Sequence, residues 1–158
     1  MAGARPLRPD ERLKAMEWLR PEEASFFLQQ PPADQRHGLE AALSTRSERP
    51  ERVDLIRAAL LHDIGKRKSG LGLIGRSMAS AWSKLGGRGR GRWAVYLDHG
   101  ALGAEELAAL GAEAIVVDFA RNHHGIRPGS ISEGDWDVLA RADLGGRPER
   151  RGRGRNGR

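Results

Sequence analysis

The sequence predicts an all-α domain. Ala and Leu dominate the apolar content and aromatic residues reach only 5%, so the β-branched and aromatic side chains that favour strands are scarce. Apolar residues recur with a helical period between Pro and Gly punctuation, and no Gly-rich phosphate-binding loop lies between a strand and a helix. At 158 residues the length suits one domain with a single core.

Residues 1–9 are expected to be irregular. Pro9 followed by Asp10-Glu11 opens a first helix to about Arg20, because acids in a first turn complement the helix dipole. Pro21 suits the first turn of a second helix, Glu22 to Gln30, with Phe26, Phe27 and Leu28 on its core side. Pro31-Pro32 stops it. Asp34 is expected to cap a third helix running through His37, Leu39, Ala42 and Leu43 to about Thr45. Pro50 begins a fourth, in which Val53, Leu55, Ile56, Ala59 and Leu60 keep a helical period up to His62-Asp63. Gly65 places that pair at the C-terminal end of the helix.

Leu71 to Leu85 reads as a fifth helix, and residues 86–92 (Gly-Gly-Arg-Gly-Arg-Gly-Arg) as a flexible basic loop. Three further helices are expected: His99 to Leu110, Glu113 to about His123, and Ser132 or Asp135 to Leu144. Gly111 and Gly125 stop the first two. Trp18, Trp82, Trp93 and Trp136 read as core or rim aromatics, not base-stacking platforms, and Phe26-Phe27 as core.

The formal charge of +6 resides mainly in the tail, where residues 145–158 hold six Arg and one Glu. Residues 1–144 are therefore read as the folded domain and 145–158 as a disordered, solvated Arg/Gly tail. A weak nucleic-acid contact through that tail is the alternative. The absence of cysteine excludes disulfides and thiolate metal sites and points to a reducing cytosol. No apolar run approaches the roughly 18 residues that cross a bilayer, and the N-terminal residues lack the apolar stretch of a secretory signal. A cytoplasmic protein with no membrane partner is expected.

All five histidines fall in one ordered series with two aspartates: His37, His62-Asp63, His99, His123-His124, Asp143. Imidazole and carboxylate hold borderline cations, and packing alone does not account for such a series. Adjacent helical residues point about 100° apart, so His62 and Asp63 can serve one centre only near a helix end. Ala58 and Ala59, one turn earlier, leave that approach open. Read singly, His99 is equally a helix cap, and Lys66 a cation near a helix C-terminus.

Taken together, the order H…HD…H…HH…D and the string His62-Asp63-Ile64-Gly65-Lys66 resemble the HD superfamily of metal-dependent phosphohydrolases, in its HDIG branch with a two-metal centre. The likeness covers residues 34–144. It implies that His37, His62, Asp63 and Asp143 hold one metal and His99, His123 and His124 a second, with Asp63 bridging. Asp63 and Lys66 then carry catalysis, with Lys66 facing the substrate phosphate; apart from the resemblance, the charge of Arg127 and of the loop residues Arg88, Arg90 and Arg92 suits further substrate contacts.

The stretch Ile115 to Gly125 is similar to the corresponding part of HD enzymes that hydrolyse cyclic di-AMP. The Gly-Tyr-Pro that follows the paired histidines in the cyclic di-GMP enzymes is replaced by His124-Gly-Ile-Arg-Pro-Gly-Ser130.

A phosphorylated small molecule, a nucleotide or cyclic (di)nucleotide, is the expected substrate, hydrolysed by a metal-activated water. The cofactors are divalent or mixed-valence ions, two of them, with Fe, Mn, Co, Ni and Zn all compatible with such ligands. The competing readings are a mononuclear nucleotide phosphatase or pyrophosphatase and a non-catalytic nucleotide- or RNA-binding module.

Overall fold

Proline sets most of the helix boundaries in the N-terminal half of the computed structural model, which describes residues 5–69 and 98–145. A residue that precedes proline is pushed out of the α region. Arg8, Arg20 and Pro31 accordingly hold ψ near 150–160° (161°, 158° and 150°), and the helices α1 (Pro9–Met16), α2 (Pro21–Leu28) and α3 (Pro32–Glu48) start immediately after them. In α1 and α2 the third-position glutamate reaches back to the cap: Glu11 accepts from the Arg8 N–H at 2.8 Å and Glu23 from the Arg20 N–H at 2.9 Å.

The expected boundaries shift for the same reason. The first helix ends at Met16, not Arg20, because Arg20 is claimed by Pro21. Asp34 is not the cap of α3 but lies inside its first turn, since Pro32 occupies the first helical position. That helix runs on to Glu48, where Arg49 precedes Pro50. Pro50 belongs to the connecting turn, and α4 (Val53–Leu61) begins after Arg52, whose guanidinium pairs with Asp54 at 2.8 Å and Asp135 at 3.1 Å.

After α4 the chain tightens into a 3-10 segment, Ile64–Ser69. The remaining helices are α5 (His99–Ala109), α6 (Ala114–Asn122) and α7 (Glu133–Asp143). Gly111 closes α5 with φ +66°, donating to the Ala108 carbonyl while Ala112 donates to Leu107, which satisfies two end carbonyls. Gly125 does not use positive φ; α6 ends in a tight turn, with its N–H on the Asn122 carbonyl. Ser132 caps α7, accepting from the Asp135 N–H at 3.2 Å. Among the described residues there are seven α-helices and no strand, so the domain is all-α. The expected helix 71–85, the loop 86–92 and residues 146–158 lie outside the described residues. No described helix is long and apolar enough to cross a membrane.

The central helix is α4, buried along its length from Leu55 to Leu61 and packed against α3, α6 and α7. Phe27, Leu107, Phe119, Ile131 and Leu139 complete the core around it, while Phe26, Trp18 and Trp136 lie half-buried at its edge. Each such fully buried apolar side chain stabilises the fold by about 1.5–3 kcal/mol. Arg57, on the same helix, is also buried; it pairs with the buried Glu23 of α2 and lies 2.6 Å from the Glu113 carboxylate at the start of α6. Arg20 reaches the same Glu113 at 2.8 Å. One charged network thus ties α2, α4 and α6 together.

Two glycines let the ligand-bearing elements approach closely. A Cβ on Gly38 would lie 2.7 Å from the Leu60 carbonyl oxygen, and one on Gly65 only 2.0 Å from that of His99. Both contacts are with backbone, which cannot swing aside. Gly65 was expected only as a helix stop; its larger role is to let the 3-10 segment rest on the first turn of α5.

Candidate metal centre

Every residue of the histidine–aspartate series sits at or near a helix end facing α4's C-terminus. His62 is the C-cap of α4 and His123 the C-cap of α6. The two are built alike. His62 Nδ1 lies 2.8 Å from the Ala59 carbonyl and His123 Nδ1 lies 2.9 Å from that of Ala120, each three residues back. A carbonyl only accepts, so Nδ1 carries the proton and Nε2 turns its lone pair inward, the tautomer a metal ligand needs. Ala59 thus contributes a carbonyl as well as space. Phe119 packs beneath both rings, at 5.8 Å from His62 and 6.0 Å from His123.

Asp63 follows His62 into the turn and is 2% exposed. Its two oxygens face different histidines. Oδ1 lies 3.3 Å from His99 Nε2 and 3.5 Å from His123 Nε2. Oδ2 lies 3.5 Å from His62 Nε2 and 4.0 Å from His37 Nε2. Asp143, the last residue of α7, places Oδ1 3.0 Å from both His37 Nε2 and His62 Nε2. The exposed His124 closes the other half, its ring 3.9 Å from that of His123 and 5.2 Å from that of His99. Donor atoms of Asp63, His99, His123 and His124 fall within 4.8 Å of one another, as do those of His37, His62 and Asp63.

His99 is the first residue of α5, after Asp98; with its Nε2 3.3 Å from His123 Nε2, it faces the centre and does not cap its helix. Lys66 places Nζ 2.5 Å from Asp63 Oδ2. Arg127, on the loop past His124, donates to the Ile131 carbonyl at 2.7 Å, within its own loop. Arg88, Arg90 and Arg92 lie outside the described residues. Sequence reasoning missed the Ala120 carbonyl and Phe119; the Ala three residues before His62 and before His123 was the available sign.

The electrostatics suit a cation. Burial alone would raise the Asp63 pKa, yet the adjacent His62, the His123 and His99 rings and the Lys66 charge hold it well below the usual range. Asp143 is likewise held low, against its burial, chiefly by His37 and His62. Burial pulls His62 down, but the two carboxylates outweigh it and raise its pKa. Burial and then the neighbouring His123 and His99 lower His124 to about 4, and burial leads in lowering His123. A pKa that low leaves the His124 ring neutral at neutral pH, with a lone pair to donate.

Within the centre, the buried His62 Nε2 and Asp63 Oδ1 have no hydrogen-bond partner. Orphaned acceptors at such depth cost free energy unless a cation meets them. The residues therefore fit a bound cation, and Asp63 belongs to both donor groups. A neutral-imidazole and carboxylate set of this kind matches Fe, Mn, Co, Ni or Zn.

The family model described as HD domain matches residues 35–154. No curated protein and no solved structure matches the chain.

Proposed function

This chain belongs to the HD domain family, whose members are in general metal-dependent phosphohydrolases, and from that premise we propose that it hydrolyses a phosphoester at a two-metal centre. One observation supports this most: the two oxygens of Asp63 face separate histidine sets, the disposition a bridging carboxylate requires. His37, His62 and Asp143 would complete one ion's ligands, and His99, His123 and His124 the other's. When bound, such a pair supplies Lewis acidity toward phosphate oxygens and lowers the pKa of water.

The chain's own groups do the rest. Asp63 would serve both halves, and the His123 and His124 imidazoles would add ligands without cancelling positive charge. Lys66 would meet phosphate oxygens as a point charge, and Arg127 would add a contact at the rim. The substrate we propose is a nucleotide or cyclic nucleotide. A cyclic dinucleotide is the sharper form, supported by the likeness of residues 115–125 to enzymes that hydrolyse cyclic di-AMP; the missing Gly-Tyr-Pro argues against cyclic di-GMP. The protein would act in the cytoplasm.

The test is metal analysis of purified protein followed by a panel of cyclic and linear nucleotides, with Mn or Fe loaded anaerobically. Two ions per chain and hydrolysis of at least one phosphoester are expected. One tightly bound ion overturns the binuclear form, and metal binding without any turnover favours a non-catalytic binding module.

A further inference from the structure

The two oxygens of Asp63 differ in what holds them. Oδ1 has no hydrogen-bond partner, whereas Oδ2 takes the Lys66 ammonium at 2.5 Å. Lys66 reaches it from inside the 3-10 segment, and its backbone N–H closes on the Asp63 carbonyl at 3.0 Å. Both ends of the residue are thus directed at Asp63. A carboxylate 3% exposed needs compensating charge, and Lys66 supplies it on one side alone: the side facing His37 and His62.

We infer that Lys66 is a resident counter-cation of Asp63 Oδ2, competing with metal for the His37/His62/Asp143 half and turning to a substrate anion only once metal holds that oxygen. The inference rests on the metal reading of the centre. Two cations on one oxygen repel strongly where water is sparse. Of the groups present, the lysine is the one able to yield, because its flexible four-carbon stem swings without backbone movement. His62 is pinned by Ala59, and Asp143 ends a helix packed on α3 and α4. Metal loading of this half therefore releases an ammonium beside the centre, so anion affinity follows metal occupancy. Deleting the lysine then tightens metal binding, the reverse of what loss of a supporting group does.

The experiment is calorimetric titration of Mn2+ into metal-free, full-length protein, without substrate, for wild type, Lys66→Met, His37→Ala and the double variant. Lys66→Met is expected to bind about tenfold more tightly, within the usual range for coupling between two sites. That gain should vanish in the His37→Ala background, where the contested half is incomplete. Thermal melting gives a second reading: Lys66→Met without metal melts lower than wild type, yet shows the larger rise when Mn2+ is added. Unchanged or weaker Mn2+ affinity in Lys66→Met overturns the inference, as does a gain that survives in His37→Ala. Metal binding by wild type without that gain leaves the metal reading standing, whereas absence of Mn2+ binding in every protein removes both.

Discussion

His62 Nε2 and Asp143 Oδ1 face each other at 3.0 Å, although His62 has already committed Nδ1 to the Ala59 carbonyl. Two lone-pair atoms at that separation attract only when a proton or metal ion lies between them. The contact joins the ends of α4 and α7, far apart in sequence, so the centre is part of what holds the bundle closed.

Asp63→Ala should remove metal and turnover together, because one carboxylate serves both halves. Elemental analysis of the purified variant should find well under one ion per chain. Two ions retained in Asp63→Ala would deny it a bridging role.

Lys66→Ala should keep its metal and lose hydrolysis by about 10²–10³, the usual effect of deleting one fixed electrostatic donor. Steady-state rates on whichever phosphoester the wild type cleaves provide the measure. An unchanged kcat would take Lys66 out of the reaction.

Gly65→Ala forces a Cβ to within 2.0 Å of the His99 carbonyl unless the 3-10 segment lifts away from α5. Overpacking of that kind costs about 1–3 kcal/mol, and here it also separates Asp63 from His99. Urea denaturation should show the loss, and metal titration a weakened His99/His123/His124 half. Wild-type behaviour in both would mean that the contact is softer than its geometry implies.

Arg57→Met leaves Glu23, 1% exposed, without its main partner. Breaking a buried pair on one side costs about 3–5 kcal/mol. Pairing it with Glu23→Gln should recover much of the loss, since the stranded charge is gone. Equilibrium denaturation of the single and double variants decides the matter, and equal losses in both would show that shape, not charge, governs the site.

Acid should loosen the N-terminal clasp before it reaches the core. Arg36 hydrogen bonds, and then the Arg8 N–H, lower the Glu11 pKa from 4.5 to about 2. A depressed folded-state value means that the contribution is complete above the unfolded pKa and fades as pH falls from about 4.5 towards 2. Stability measured against pH for wild type and Glu11→Gln should therefore differ above that window and converge at its acid end. A constant offset across the range would show that the hydrogen-bond geometry, not the ionisation, matters.

Much of the helical plan was legible because proline and glycine act locally. Pro9 and Pro21 each start a helix through their own ring geometry, and Gly111 stops one through its own φ, whereas Pro32, read as a stop, starts the helix that Asp34 was expected to cap. The ends that were misplaced, at Arg20, Thr45 and Pro50, turn on which of two adjacent signals prevails. A residue before proline yields its helical conformation to the proline after it, a competition that composition alone does not rank.

The order of histidines and aspartates, their chemical type and their placement near helix ends were determined by the sequence itself, since each is a local property of the chain. Tertiary structure alone decided which oxygen of Asp63 faces which histidines, that Asp143 meets His37 and His62, and that Gly65 admits α5. The physical reason is distance: metal-scale geometry is set to a fraction of an ångström by packing between helices that the chain separates by dozens of residues, and no local preference carries that information.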